Sequence, residues 1–251
     1  MNKIINTAEF DIFNDKIILI TGGTGSFGHK FVSSLLKYGK PKKIIIFSRD
    51  EMKQWNMQKR FPDERMRYFI GDVRDKDRLF RAFNDVNFVV HAAATKIVPT
   101  AEYNPHECIK TNILGAMNVI DASIDCKVEK IVALSTDKAS SPVNLYGATK
   151  LASDKLFVAA NAYSGASSTT FSVVRYGNVA GSRGSIIPFF MDLKTNNATP
   201  ITDRRMTRFI VSLDQAVRMV GHAFCDMLGS ELYVKKIPSV KIEDLAHWMR
   251  P

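Results

Sequence analysis

Lys16-Ile17-Ile18-Leu19-Ile20-Thr21-Gly22-Gly23-Thr24-Gly25-Ser26-Phe27-Gly28, followed by His29 to Tyr38, is the stretch that decides the fold. Lys16 to Thr21 is a short, apolar, β-branched run of the kind that forms a buried strand. A glycine turn follows without a break, and His29 to Tyr38 then carries helical spacing. Gly22, Gly25 and Gly28 read G-x-x-G-x-x-G, not G-x-G-x-x-G. Small residues let a backbone approach a pyrophosphate, which sits at the helix N-terminus. Thr24, Ser26 and Phe27 complete this cradle, and the strand-turn-helix context favours nucleotide binding over a purely structural turn.

Downstream, the same unit repeats in outline. Gly39-Lys40-Pro41 stops the helix, and Lys42 to Phe47 is a second strand. Ser48 and Arg49 follow about twenty residues past Gly28, with Lys53 a little later. A hydroxyl and a guanidinium there suit a 2′-phosphate and hence NADP. The alternative is a solvated Arg49 with Asp50 on the ribose. Met66 to Ile70 is a third strand leading to Asp72 and Val73, where Asp72 either meets an adenine amino group or caps the helix Lys76 to Phe83. Val86 to His91 is a fourth strand. Ala92, Ala93 and Ala94 after it again allow cofactor approach, and His91 reads as a packed strand-end residue. A loop follows from Thr95 to Asn104. The helix Glu107 to Ser123 contains Thr111, expected near the cofactor, and Asn112, whose place inside a helix suggests a polar task.

Lys130 to Leu134 is a fifth strand, and Ser135 to Lys150 reads S-T-D-K-A-S-S-P-V-N-L-Y-G-A-T-K. Tyr146 and Lys150 are four apart, so on a helix they share a face. An ammonium beside a phenol lowers the phenol's pKa and fits it to take a proton from an alcohol. Thr136, Asp137 and Lys138 sit at a strand's C-terminal end, where open α/β sheets place ligands. Taken alone, a Tyr-x-x-x-Lys pair is also an ordinary amphipathic surface pair. Phe171 to Val174 is a sixth strand, ending in Arg175-Tyr176-Gly177-Asn178.

Strands alternate with helices through residue 178, which predicts an α/β, doubly wound parallel sheet. Residues 1–178 form the expected nucleotide-binding domain. Residues 179–251 form a smaller substrate-binding region, partly interleaved with it. That region holds a helix from Ile186 to Lys194, another from Leu213 to Met227, a short strand Leu232 to Val234, and a last helix from Val240 to Met249. Arg204, Arg205 and Arg208 suggest a second phosphate-bearing ligand or, equally, a solvated face.

Bulk properties bound the partners. The chain has 251 residues and a formal charge of +10, with its basic residues scattered among acids. This pattern fits phosphate handling and carries no nucleic-acid motif. No apolar run is long enough to span a bilayer. The N-terminus lacks a secretory pattern. Cys108, Cys126 and Cys225 show neither metal spacing nor a disulfide framework. The expectation is a cytoplasmic protein with no metal, nucleic-acid or membrane partner.

The ordered motifs T-G-G-T-G-S-F-G, F-S-R-D-E, G-D-V-R-D, H-A-A-A, T-N, S-T-D-K-A, Y-G-A-T-K and R-Y-G-N resemble the extended short-chain dehydrogenase/reductase family over nearly the whole chain. Within the family they are most similar to inverting UDP-N-acetylglucosamine 4,6-dehydratases. Ser135 to Ala139, Asn144 to Lys150, Arg183-Gly184-Ser185 and Met206-Thr207-Arg208-Phe209 carry that likeness. The dTDP-glucose dehydratases resemble this pattern with Asp-Glu in place of Asp137-Lys138. The retaining UDP-N-acetylglucosamine enzymes resemble it with Met in place of Tyr146.

The resemblance implies a Rossmann-type fold, NADP as a regenerated cofactor, a UDP-sugar substrate, homo-oligomers, and a product for pseudaminic acid or related surface glycans. It implies that Tyr146, assisted by Lys150, takes the proton of the sugar's 4-hydroxyl. Lys138 then removes the C5 proton, Asp137 helps the 6-hydroxyl leave, and Thr136 bonds the 4-hydroxyl. Lys138 must be neutral for this, which burial or neighbouring positive charge would favour. Lys96, Asn178, Arg183, Ser185, Thr202, Met206 and Arg208 are the implied substrate contacts.

Thr95 and Ile97 depart from the Leu and His usual around Lys96. An R-P-G-E-K-x-H-E segment that relatives carry further on does not occur before Pro251. The expectation is a truncated substrate lobe, with weak nucleotide-sugar binding in a chain that really stops there. The rival readings are a sugar epimerase on the same fold and a catalytically idle NADP-binding or scaffold protein.

Overall fold

The computed structural model describes residues 8–165, 168–182, 185–193 and 200–249. The first strand, β1 (Ile17–Thr21), is buried along its whole length, as a continuous apolar run demands when both sheet faces are covered. It lies inside a parallel sheet with β2 (Lys43–Ser48), β3 (Met66–Ile70), β4 (Phe88–His91), β5 (Lys130–Thr136), β6 (Thr170–Tyr176) and β9 (Leu232–Val234). The strand order is β3-β2-β1-β4-β5-β6-β9, and every pairing is parallel. The order reverses between β1 and β4, which opens a crevice at the strands' C-terminal ends. The chain is therefore a Rossmann-type α/β protein.

Alternation along β1 divides the core. Ile18 and Ile20 face helices α1 (Ser26–Tyr38), α2 (Glu51–Arg60) and α9 (Leu213–Asp226), through Phe31, Leu35, Met57, Val220 and Phe224. Ile17 and Leu19 face α3 (Lys76–Phe83), α6 (Gly115–Asp125) and α7 (Leu145–Tyr163), through Leu79, Ile120 and Phe157. A 3-10 turn at Ala8–Phe13 seals the first layer. Phe13 packs edge-on against Phe31, Phe88 and Phe224, at centroid distances of 5.7, 5.9 and 5.2 Å. Burying one such ring contributes roughly 2–3 kcal/mol.

Several elements differ from the sequence reading. Helix α1 begins at Ser26, three residues early, with Gly25 as its N-cap. Two helices were not expected, α2 and α4 (Val98–Tyr103). The helix expected over Glu107–Ser123 is α5 (Pro105–Ile109), a π turn (Lys110–Leu114) and then α6. Beyond β6 the chain forms β7 (Asn178–Val179), α8 (Ile186–Asp192), β8 (Thr207–Val211), β10 (Ser239–Lys241) and α10 (Ile242–Met249). β10, β8 and β7 make a separate small sheet, whereas α9 and β9 return to the main one. The residues after 179 are thus physically divided between the two sheets.

Candidate active site

A cleft of about 750 Å³ opens at the C-terminal ends of the parallel strands. On one side it is lined by Gly22, Thr24, Gly25, Ser26 and Phe27 from the glycine turn. Ser48, Arg49, Lys53, Asp72, Val73, Ala92, Ala93, Ala94 and Thr111 continue that wall. Gly22 has φ +65°, and a Cβ added there would lie 2.8 Å from the Ala93 backbone. A Cβ at Gly25 would meet only Gly22 O, at 3.3 Å, and would otherwise fill the cradle itself. A diphosphate at the N-terminus of α1 fits this donor-lined, Cβ-free space. Gly28 does not line the cleft. It packs against the turn, where a Cβ would come within 2.0 Å of Gly23 O, so its role is helix-to-turn packing.

The strand ends after β2 and β3 carry two of the sequence alternatives, and Asp50 lines the cleft beside Arg49. Asp50 is the N-cap of α2: its carboxylate accepts from Lys53 N at 2.9 Å and pairs with Lys53 Nζ at 2.7 Å. Asp72 does not cap α3; Asp75 does, accepting from Arg78 N at 2.9 Å. Asp72 Oδ2 instead accepts from Arg74 Nε and Nη2 at 2.9 and 2.6 Å, with Arg49 at 3.7 Å. Arg49 therefore lies at the cleft wall beside a carboxylate it shares with Arg74.

Opposite this wall stand Thr136, Lys138, Tyr146 and Lys150. Asp137 lies just behind them. Its Oδ1 accepts from Thr136 Oγ1 and from Lys138 Nζ, both at 3.0 Å. Lys138 Nζ also donates to Asn178 Oδ1 at 3.3 Å. Lys138 is thus ion-paired with a carboxylate, not surrounded by positive charge. The local fold explains the approach. Asn144 caps α7 by accepting from Gly147 N at 2.8 Å, and Glu102 of α4 accepts from Leu145 N at 2.7 Å. Gly147 then lets the Lys138 carbonyl sit against the first helical turn, where a Cβ would be 2.2 Å from that oxygen.

The electrostatics of Tyr146 run opposite to the sequence expectation. Burial pushes its pKa up to about 12, and the carboxylates of Asp137 and Asp154 push the same way, against a hydrogen bond with Thr136. The Lys150 ammonium does not offset this. Lys150 is itself buried, and burial pulls its pKa down while Asp154 pulls it up.

Of the buried polar groups behind the cleft, sequence reasoning singled out Asn112 and missed Asp154. Asn112, in the π turn, accepts from Thr95 N at 2.8 Å and donates to Thr95 O at 2.9 Å and Thr149 Oγ1 at 3.0 Å. It thereby ties the loop after β4 to the helix bearing Tyr146 and Lys150. Asp154 accepts from Ser135 Oγ and Arg175 Nε. Its position one turn past Lys150 was the available signal. The pairing of β5 with β6 that brings Arg175 to it was not readable locally.

On the predicted substrate side, Lys96, Asn178, Ser185 and Arg208 line the cleft. The Ser185 hydroxyl is buried with no hydrogen-bond partner among the described residues. Parallel pairing of β7 with β8 brings Asn178 and Arg208 to one wall. Thr202 is exposed and outside the cleft, and Met206 packs on a separate apolar cluster with Phe190 and Ile242. Arg205 pairs with Asp203 and Arg204 with Glu243. Arg183 and Gly184 lie outside the described residues. Among the described residues no metal-binding group of acids, His and Cys occurs, and no helix is long and apolar enough to cross a membrane.

A doubly wound sheet with a phosphate cradle facing a Tyr-x-x-x-Lys helix defines the extended short-chain dehydrogenase/reductase class. A family described as "Polysaccharide biosynthesis protein" matches residues 18–250, and the chain belongs to it. It is 62% identical to the Campylobacter jejuni protein named UDP-N-acetylglucosamine 4,6-dehydratase (inverting), over 96% of this chain and 72% of that one. It is also 44% identical to a Rickettsia rickettsii protein named UDP-glucose 4-epimerase, over 94% and 70%. Among solved structures, Pen from Bacillus thuringiensis superposes with a TM-score of 0.92 at 44% identity, covering 95% of this chain and 74% of that one.

Proposed function

We propose that this chain carries an NADP-dependent, inverting UDP-N-acetylglucosamine 4,6-dehydratase, a hydro-lyase. Its product is the UDP-4-keto-6-deoxy sugar of L-arabino configuration, with the 2-acetamido group retained, used for pseudaminic acid or related surface glycans. The observation that carries the reading is the Asp137–Lys138 pair, at 3.0 Å, between Thr136 and the Tyr146 helix. The 62% identity to a protein of that name supports it.

A nicotinamide dinucleotide held by the glycine turn, Ser48 and Arg49 would supply the hydride acceptor and donor. The preference for NADP rests on Ser48 and Arg49 at the cleft wall, a hydroxyl and a guanidinium that suit a 2′-phosphate. The chain's own residues do the rest. Tyr146 takes the 4-hydroxyl proton, and the 4-ketone acidifies C5. For the elimination, Lys138 acts as the amine base and Asp137 as the acid. The amine removes the C5 proton, and the acid protonates the departing 6-hydroxyl. A proton then returns to C5 on the opposite face. In this reading Arg208, Asn178, Ser185 and Lys96, which line the cleft, hold the nucleotide sugar.

The 44% identity to proteins named UDP-glucose 4-epimerase favours C4 epimerisation as the second reading. That reaction needs no elimination base, so it leaves Lys138 without a task. Incubation with UDP-N-acetylglucosamine and catalytic NADP in heavy water, followed by NMR, separates the two. The expected product is a 4-keto-6-deoxy sugar with deuterium at an inverted C5. A retained 6-hydroxyl with changed C4 would establish the epimerase.

A further inference from the structure

Behind Tyr146, helix α7 buries two charges in succession. Tyr146, Lys150 and Asp154 are spaced i, i+4 and i+8, so they share one face. Lys150 and Asp154 are each only 3% exposed. Asp154 Oδ2 accepts from Arg175 Nε at 2.7 Å and from Ser135 Oγ at 2.9 Å. Ser135 and Arg175 are register partners on β5 and β6. Arg175 is the direct ion-pair partner of Asp154, and Lys150 feels that carboxylate through space. The part-buried Arg175 and the buried Lys150 thus have the same buried anion as neighbour.

The other groups around Lys150 supply little counter-charge. His91 of β4 is buried and held neutral. Tyr176 of β6 is partly buried, and desolvation of its phenol keeps it protonated. Asp137, after β5, is engaged by Lys138, and Cys108 of α5 contacts Thr149. A buried ammonium with no anion in reach surrenders its proton.

We propose that Asp154 is a positioning residue for charge: divided between Arg175 and Lys150, its carboxylate holds Lys150 as an ammonium one turn from Tyr146. The inference rests on the reading in which Lys150 assists Tyr146, but its first test does not need turnover. NMR titration of the folded protein, labelled at the lysine side-chain ε-carbons, reads the Lys150 midpoint directly. Asp154→Asn is expected to lower that midpoint by about one pH unit or more. Asp154→Glu is expected to restore it. Arg175→Gln is expected to raise it, because the carboxylate is then left to Lys150 alone, while Arg175→Lys stays near wild type. Where Asp154→Asn fails to fold, the opposite sign at Arg175→Gln carries the test.

In turnover, the alkaline limb of kcat should move with the midpoint while KM for the sugar holds. A clamp that only braces α7 on the sheet would lower the melting temperature in both variants and leave the midpoint and limb in place; that result overturns the proposal. A midpoint that moves without the limb confirms the charge coupling and removes Lys150 from the chemistry.

Discussion

Lys138 and Tyr146 divide the proposed reaction at the level of single side chains. Lys138 Nζ reaches both Asp137 and Asn178, which fix its direction across the cleft toward C5. Lys138→Ala removes the C5 base and strands the acid. It should cut dehydration by about 10²–10⁴-fold, with loss of C5 deuterium exchange in proportion; NMR of the product mixture reads both. Undiminished exchange would take Lys138 out of the chemistry. Tyr146→Phe should act earlier, blocking oxidation of the 4-hydroxyl, so that no reduced cofactor absorbance builds in a single turnover. The raised pKa of Tyr146 sets a condition on this role. Burial keeps the phenol protonated at neutral pH, so its proton acceptance depends on what enters the cleft. The sequence displayed Tyr146 and Lys150 plainly, because i, i+4 spacing is local. It did not display the sign of the shift, because burial and the Asp154 carboxylate are set by the packing of β5, β6 and α7.

The same distinction holds for whole elements. The parallel strands were legible because apolar, β-branched runs bounded by turns report burial on both faces. Helix α2 was not, since only Gln54 and Met57 of its ten residues are buried and its periodicity is weak. Its cap, Asp50, stands where a ribose ligand was also expected, so one residue carried two signals. The two-residue β7 has no pattern to read, yet its pairing with β8 is what sets Asn178 and Arg208 on one wall. The contact of α7 with the turn bearing Lys138 is equally hidden, and it makes an element-level prediction. In Gly147→Ala the new Cβ would lie 2.2 Å from the Lys138 carbonyl oxygen, so the turn and helix must part by about an ångström. A displacement of that size costs on the order of 10²-fold in kcat. Circular dichroism should stay native while kcat falls. A native kcat would show that Lys138 is positioned by its Asp137 and Asn178 contacts alone.

For the molecule as a whole, the two-layered core around β1 was legible in outline, and the division of the last seventy residues between two sheets was not. Nothing in Leu232 to Val234 says that it returns to pair with β6. The completed core also buries a group with a global consequence. His91, at the end of β4, is 1% exposed and its Nδ1 lies 2.9 Å from Thr21 Oγ1. That hydroxyl accepts from Ala92 N and Ala93 N, which leaves its own proton for the ring. Burial, with Lys150 nearby, pulls the imidazole from an ordinary 6.5 down to about 3. The unfolded chain therefore binds a proton near pH 6.5 that the native chain refuses until about pH 3. Stability from this site is complete above pH 6.5 and falls by about 1.4 kcal/mol per pH unit through that window. The lowered carboxylates act in the same direction but only further down, Asp63 between 3.8 and about 2. Urea denaturation at steps from pH 7 to 4.5 should thus show a slope of about one proton. In His91→Asn, which keeps an acceptor near Thr21 and cannot be charged, the slope should flatten even though stability at pH 7 drops. An unchanged slope in the variant would mean that the acid sensitivity of the fold lies elsewhere than at His91.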